Sequence, residues 1–65
     1  MSMHFEIGDY VTLKNCRDCP VYEISNIEEH SGTGEKTYTL VNIRFSNNRV
    51  DGISEETLVN LYRKV

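Results

Sequence analysis

Long apolar runs are missing from this chain. No stretch approaches the ~20 consecutive apolar residues of a membrane-spanning helix. The opening residues, Met-Ser-Met-His-Phe-Glu, lack a basic start and the roughly 7–15-residue apolar segment of a secretory signal. The expected compartment is therefore the cytoplasm, with no membrane partner. The two cysteines are then expected to be free thiols. A basic excess is also missing: ten acidic side chains against seven basic ones leave a net charge of −3. Nonspecific nucleic-acid binding rests on neutralised phosphates, so this balance argues against such a partner without removing a local basic patch. Repeats, low-complexity runs and linker composition are absent, and proline occurs once.

Size sets a further bound. Sixty-five residues make a single domain, 1–65, with an apolar share of 38%. A domain this small buries only about 60% of the surface its unfolded chain exposes. An enzyme pocket of roughly 300–1,000 Å³ is hard to house in so thin a core. The expectation is a module that binds at its surface, without catalysis.

What is present reads as strands. Residues 37–53, Thr-Tyr-Thr-Leu-Val-Asn-Ile-Arg-Phe-Ser-Asn-Asn-Arg-Val-Asp-Gly-Ile, suggest a long strand, a tight turn at Asn47-Asn48 and a shorter return strand. Asparagine tolerates the positive φ that two-residue hairpin turns favour. Val41, Ile43 and Phe45 share one parity, and Tyr38 and Leu40 the other, so both faces of this central strand carry apolar residues. Phe45 and Phe5 are expected in the core.

Ahead of the hairpin, Phe5 and Ile7 anchor a lead-in, and Gly8 suits a positive φ or a close crossing. Residues 10–14 alternate cleanly, with Val11 and Leu13 on one side. Residues 15–20 form a loop, and Pro20 holds Cys19 extended. Residues 21–29 change phase between Tyr22/Ile24 and Ile27, which predicts a bulge or bend near Ser25-Asn26. Ser31-Gly32-Thr33-Gly34 is a loop. Ser54 suits the cap of about one helical turn, with Glu55 and Glu56 at its positive end. Residues 59–62 read as a last strand.

The result is all-β: five short strands, with one short helical turn before the last. Phe5-Glu6-Ile7-Gly8-Asp9-Tyr10-Val11 and Ile53-Ser54-Glu55-Glu56-Thr57-Leu58 carry a resemblance to SH3-like small barrels, in particular KOW-like and Tudor-like modules. The resemblance covers most of the chain and implies a fold rather than a function. The chain departs from peptide-binding SH3 domains in having no tryptophan after the second strand, no Ala-Leu-Tyr-Asp-Tyr-like run and no paired tyrosine before the last strand. It departs from KOW modules in its sparse basic residues.

Several residues could carry chemistry. Cys16-Arg17-Asp18-Cys19 offers two thiolates of the four ligands that a structural zinc needs. His4 and His30 are not at finger spacing, so the expectation is two loop cysteines, no metal and no cofactor. Neither histidine has a nucleophile or carboxylate in a recognisable catalytic spacing, and no catalytic residue is assigned. Tyr10 and Tyr38 are candidate surface contacts, since a tyrosine ring packs while its hydroxyl meets water. In Tudor-like barrels, aromatics at strand ends form cages for methylated cations through cation–π attraction. Arg44 and Arg49 bracket the hairpin tip. The candidate binding set is thus Tyr10, Tyr38, Arg44 and Arg49. The expected partner is another protein. An accessory nucleic-acid-binding role, using charge and stacking at the same residues, is the alternative. A homodimer through an open strand edge is also open.

Overall fold

The computed structural model describes residues 5–65, so the reading of His4 lies outside the described residues. The elements follow as β1 (Tyr10–Leu13), β2 (Tyr22–His30), β3 (Glu35–Asn42), β4 (Arg49–Ser54), α1 (Glu55–Leu61) and β5 (Tyr62–Lys64). All strand pairs are antiparallel, in the order β4-β3-β2-β1-β5. The all-β class, the five strands and the helix before the last strand are as the residues predict. The closed small barrel that the SH3-like resemblance implies does not form: the sheet is open, with β4 and β5 at its two edges and not paired to each other.

The register of β2 on β3 shifts between Ile24 and Asn26, which is the bulge the apolar phase change requires. Ser25 occupies it, and its hydroxyl donates to the Thr39 carbonyl at 3.4 Å. The extra residue returns Ile27 to the face of Ile24. Gly8 has φ +97°, as expected, and its N–H donates to the Ile24 carbonyl at 2.9 Å. That bond and the return bond from the Ile24 N–H to the Asp9 carbonyl, also 2.9 Å, bind the lead-in to β2. Phe5 is thereby carried into the core, where its ring meets Tyr38 edge-on with centroids 6.3 Å apart. Ile7, by contrast, is exposed and anchors nothing.

One face of the sheet carries the core. Phe5, Val11, Ile24, Tyr38, Leu40, Ile53, Leu58 and Tyr62 form a single buried cluster. Helix α1 covers this face through Leu58. Ser54 caps it by accepting the Thr57 N–H at 3.2 Å, with Glu55 and Glu56 in the first turn. The helix runs seven residues, so residues 59–62 are not the last strand: Val59 and Leu61 are helical, and β5 begins only at Tyr62. Leu58, Val59, Leu61 and Tyr62 fit helical spacing as well as a short apolar strand, and the docking of Leu58 in the core favours the helix.

The hairpin departs most from its expected form. β3 ends at Asn42 and residues 43–48 form a loop, so Phe45 lies outside the strand. Asn42 is buried at 4% exposure, and its Oδ1 accepts the backbone N–H groups of Arg44 (2.8 Å) and Phe45 (3.1 Å). This local side-chain acceptor turns the backbone before the strand can continue. The loop closes through Asn48 N–H to the Phe45 carbonyl (2.9 Å) and Asn42 N–H to the Asn48 carbonyl (3.0 Å). Neither Asn47 nor Asn48 has positive φ, and Phe45 is 63% exposed rather than in the core.

The cysteines also differ from expectation. Cys16 and Cys19 form a disulfide rather than two free thiols. Asn15 enters this loop at φ +57°, and the turn over residues 16–19 leaves the two cysteine Cα atoms 5.6 Å apart, within disulfide range.

Candidate interaction surface

The candidate surface is the face of the sheet opposite α1. Strand register defines it. Tyr10 lies opposite Glu23, Glu23 opposite Val41, and Val41 opposite Arg49. These four side chains form one row across β1, β2, β3 and β4. Their chain neighbours Val11, Ile24, Leu40 and Val50 point to the core, and alternation turns the row away from it. At about 4.8 Å per strand, Tyr10 and Arg49 stand about 14 Å apart. The Val65 N–H donates to the Tyr10 carbonyl at 3.0 Å and extends the row by one exposed apolar residue.

A second row lies beside the first. Ile43 N–H donates to the Val21 carbonyl at 3.1 Å, which sets Ile43 next to Val21 beyond the end of β3. Further along this row, Thr12 is buried although it belongs to the outer face. Its hydroxyl donates to the Pro20 carbonyl at 3.1 Å, so the chain at Pro20, where the disulfide loop ends, covers this corner. The apolar residues of the open face are thus Tyr10, Val41, Val21 and Ile43, with Glu23 and Arg49 among them, and the face continues along the β2–β3 arm with polar Asn26, Glu28, Thr37 and Thr39. Tyr10 is 50% exposed and Ile43 53%. Val41 and Val21 are half-buried.

The four candidate residues divide. Tyr10 and Arg49 share the row, as described. Arg44 is exposed in the loop between β3 and β4, beside exposed Phe45. Tyr38 is not a surface contact: it is 2% exposed, on the core face of β3. Burial pushes its phenol pKa up, and the nearby Glu55 carboxylate adds to the rise. Parity accounts for the exchange of places. Tyr38 shares the face of Leu40, and that face, not the face of Val41, is covered by α1.

Arg49 donates to Asp51 Oδ1 at 2.9 Å. This hydrogen bond holds the Asp51 carboxyl below its ordinary pKa, and it raises that of Arg49. The pair is exposed on both sides, so its charges are screened by solvent and orient the guanidinium more than they stabilise the fold. His30 Nε2 lies 3.3 Å from Thr37 Oγ1 on the exposed β2–β3 arm. Among the described residues, no group of three or more His, Cys, Asp or Glu side chains is placed to hold a metal ion. A depression of about 270 Å³, lined by Gly34, Glu35, Lys36, Ser54, Glu55 and Glu56, lies at the start of α1. No described helix is long and apolar enough to cross a membrane.

Val41, Ile43 and Glu23 belong to this surface but were not legible as contacts. Val41 and Ile43 read as one side of a doubly covered strand. The signal that separates them from the core is Asn42, a capping side chain between two apolar residues. No protein family, curated protein or solved structure matches this chain.

Proposed function

We propose that this chain is a non-enzymatic protein-interaction module that binds through the helix-free face of its sheet. One observation carries the reading: an exposed tyrosine, two half-buried valines and an exposed isoleucine lie together, bounded by arginine. Aromatic side chains and arginine are enriched in protein interfaces, and an apolar centre with a polar rim is their usual anatomy. The order of five short strands with a helix before the last is also that of SH3-like modules, which fits a binding role. The test is an amide-exchange footprint of the intact chain on each protein it retains. Protection across Tyr10, Glu23, Val41 and Arg49, lost together with binding in Tyr10→Ala plus Val41→Glu, is the expected result. Retention unchanged by that double substitution, or turnover in a substrate screen without any specific retention, refutes it.

A second reading has its own observation. Arg44, Phe45 and Arg49 are all exposed around one loop, a charge-and-stacking arrangement suited to single-stranded nucleic acid. It predicts salt-dependent binding that is lost on Arg44→Ala plus Arg49→Ala. The Arg49–Asp51 pair weighs against it, because one of its two cations already holds a carboxylate.

A further inference from the structure

We infer that Cys16 and Cys19 form a thiol–disulfide exchange site: a small thiol opens the bond, and the disulfide of that thiol closes it again, while the sheet stays folded. The inference does not depend on the interaction reading above.

The place of the bond in the fold is the reason. It joins residues three apart in the connection between β1 and β2. Neither cysteine belongs to the buried core cluster or to the side chains packed against it. Both are half-buried, while Asn15, Arg17, Asp18 and Pro20 around them are exposed. The sulfurs therefore lie in the outer layer of the molecule, within reach of a thiol from solvent. Both ends of the loop are tied by bonds that need no sulfur. Before it, Thr12 and Leu13 pair with Arg63 and Tyr62, and the Lys14 N–H donates to the Leu61 carbonyl at 2.8 Å. After it, the Pro20 carbonyl accepts the Thr12 hydroxyl at 3.1 Å, the Val21 carbonyl accepts the Ile43 N–H at 3.1 Å, and Tyr22 pairs with Val11. Opening the bond frees residues 15–19 and leaves the register of the sheet as it is.

Loop size sets the thermodynamics. A disulfide stabilises a fold chiefly by closing a loop in the unfolded chain, and the effect grows with loop length. This loop is among the shortest a disulfide closes. The coupling is reciprocal: a bond that adds little to the fold is one to which the fold adds little. The sheet thus neither strongly protects this disulfide from reduction nor depends on it. Exposed disulfides of this kind are the labile and regulatory ones, whereas structural disulfides resist the glutathione pool. The chain has no third cysteine, so the freed thiols have no other partner within the molecule and re-closure restores the same bond. The chemistry balances. The thiolate of the small thiol bonds to one cysteine sulfur, and the electron pair of the broken S–S bond leaves on the other, which takes up a proton. A second small thiol then displaces the first from the mixed disulfide. The reagent is oxidised to its disulfide, and Cys16 and Cys19 are reduced to thiols.

The experiment equilibrates the intact chain with glutathione at a series of reduced-to-oxidised ratios. Thiols are trapped by alkylation and counted by mass, with circular dichroism and amide exchange on the same samples. The expected result is a reversible passage from no trapped thiol to both as the ratio rises, with the signal of the folded sheet at either end. Amide exchange quickens on reduction at Cys16, Arg17, Asp18 and Cys19 and stays unchanged in β1, β2 and β3. Cys16→Ser plus Cys19→Ser folds alike and does not respond to the ratio. A bond that stays closed in reduced glutathione alone overturns the inference, since it is then a structural disulfide. Loss of the sheet signal on reduction, or failure of the double-serine variant to fold, overturns it as well, since the bond is then a staple of the fold. So do two thiols that oxidised glutathione leaves unjoined.

Discussion

At the scale of single residues, Asn42 does more to shape the surface than any of the candidate contacts. Its side-chain oxygen accepts two backbone N–H groups and ends β3. Without it, Ile43 and Phe45 would extend the strand. Asn42→Ala removes the acceptor of two part-buried N–H groups, which costs about 0.5–1.5 kcal/mol for each bond. Urea denaturation is expected to show that loss, and amide exchange is expected to quicken at Arg44 and Phe45 specifically. Unchanged exchange at those two amides would mean that the turn does not depend on Asn42. Alternation alone identified the two apolar parities of β3. It did not reveal which parity α1 covers, and so it set Tyr38 at the surface; Phe45 is outside the core for a different reason, because β3 ends at Asn42.

At the scale of elements, α1 makes the sheet two-sided in character. Ser54, Glu55 and Glu56 start it, and these were readable because a cap acts over three or four neighbouring residues. Its length was not readable. The run from Leu58 to Tyr62 satisfies both periods over so few residues, and only contact of Leu58 with the core favours helix. Leu58 is fully buried, so Leu58→Ala is expected to cost about 2–5 kcal/mol, enough to unfold a marginal domain. Thermal unfolding followed by circular dichroism measures this. A cost below about 1 kcal/mol would mean that α1 is not docked through this residue. The bulge in β2 was legible for the opposite reason: a phase change in a period-two pattern needs an extra residue wherever the strand folds.

For the whole molecule, Tyr38 and Tyr62 link the core to pH. Burial raises the pKa of each, with Glu55 adding at Tyr38 and Tyr22 at Tyr62. Each folded pKa therefore lies above the ordinary 10.0 that tyrosine has in the unfolded chain. Between the two values the unfolded chain has released protons that the folded chain still holds, so stability falls as pH rises. The contribution is complete below the unfolded value and is lost as pH climbs through the folded one. Urea midpoints measured from about pH 9 to about pH 11 are expected to decline, and to decline less in Tyr38→Phe plus Tyr62→Phe. An equal decline in that variant would place the alkaline sensitivity elsewhere.

What the sequence by itself determined was local. Strand alternation, the Ser54 cap, the positive φ at Gly8 and the compensating bulge at Ser25 each involve residues a few positions apart, whose physics does not depend on the rest of the chain. Long-range packing decided the rest: which face α1 covers, whether the sheet closes, and that Tyr10, Glu23, Val41 and Arg49 fall in one row. That row draws one residue from each of four strands. Its order is set by register across the sheet, and register is fixed only when the buried face of every strand has found the same core.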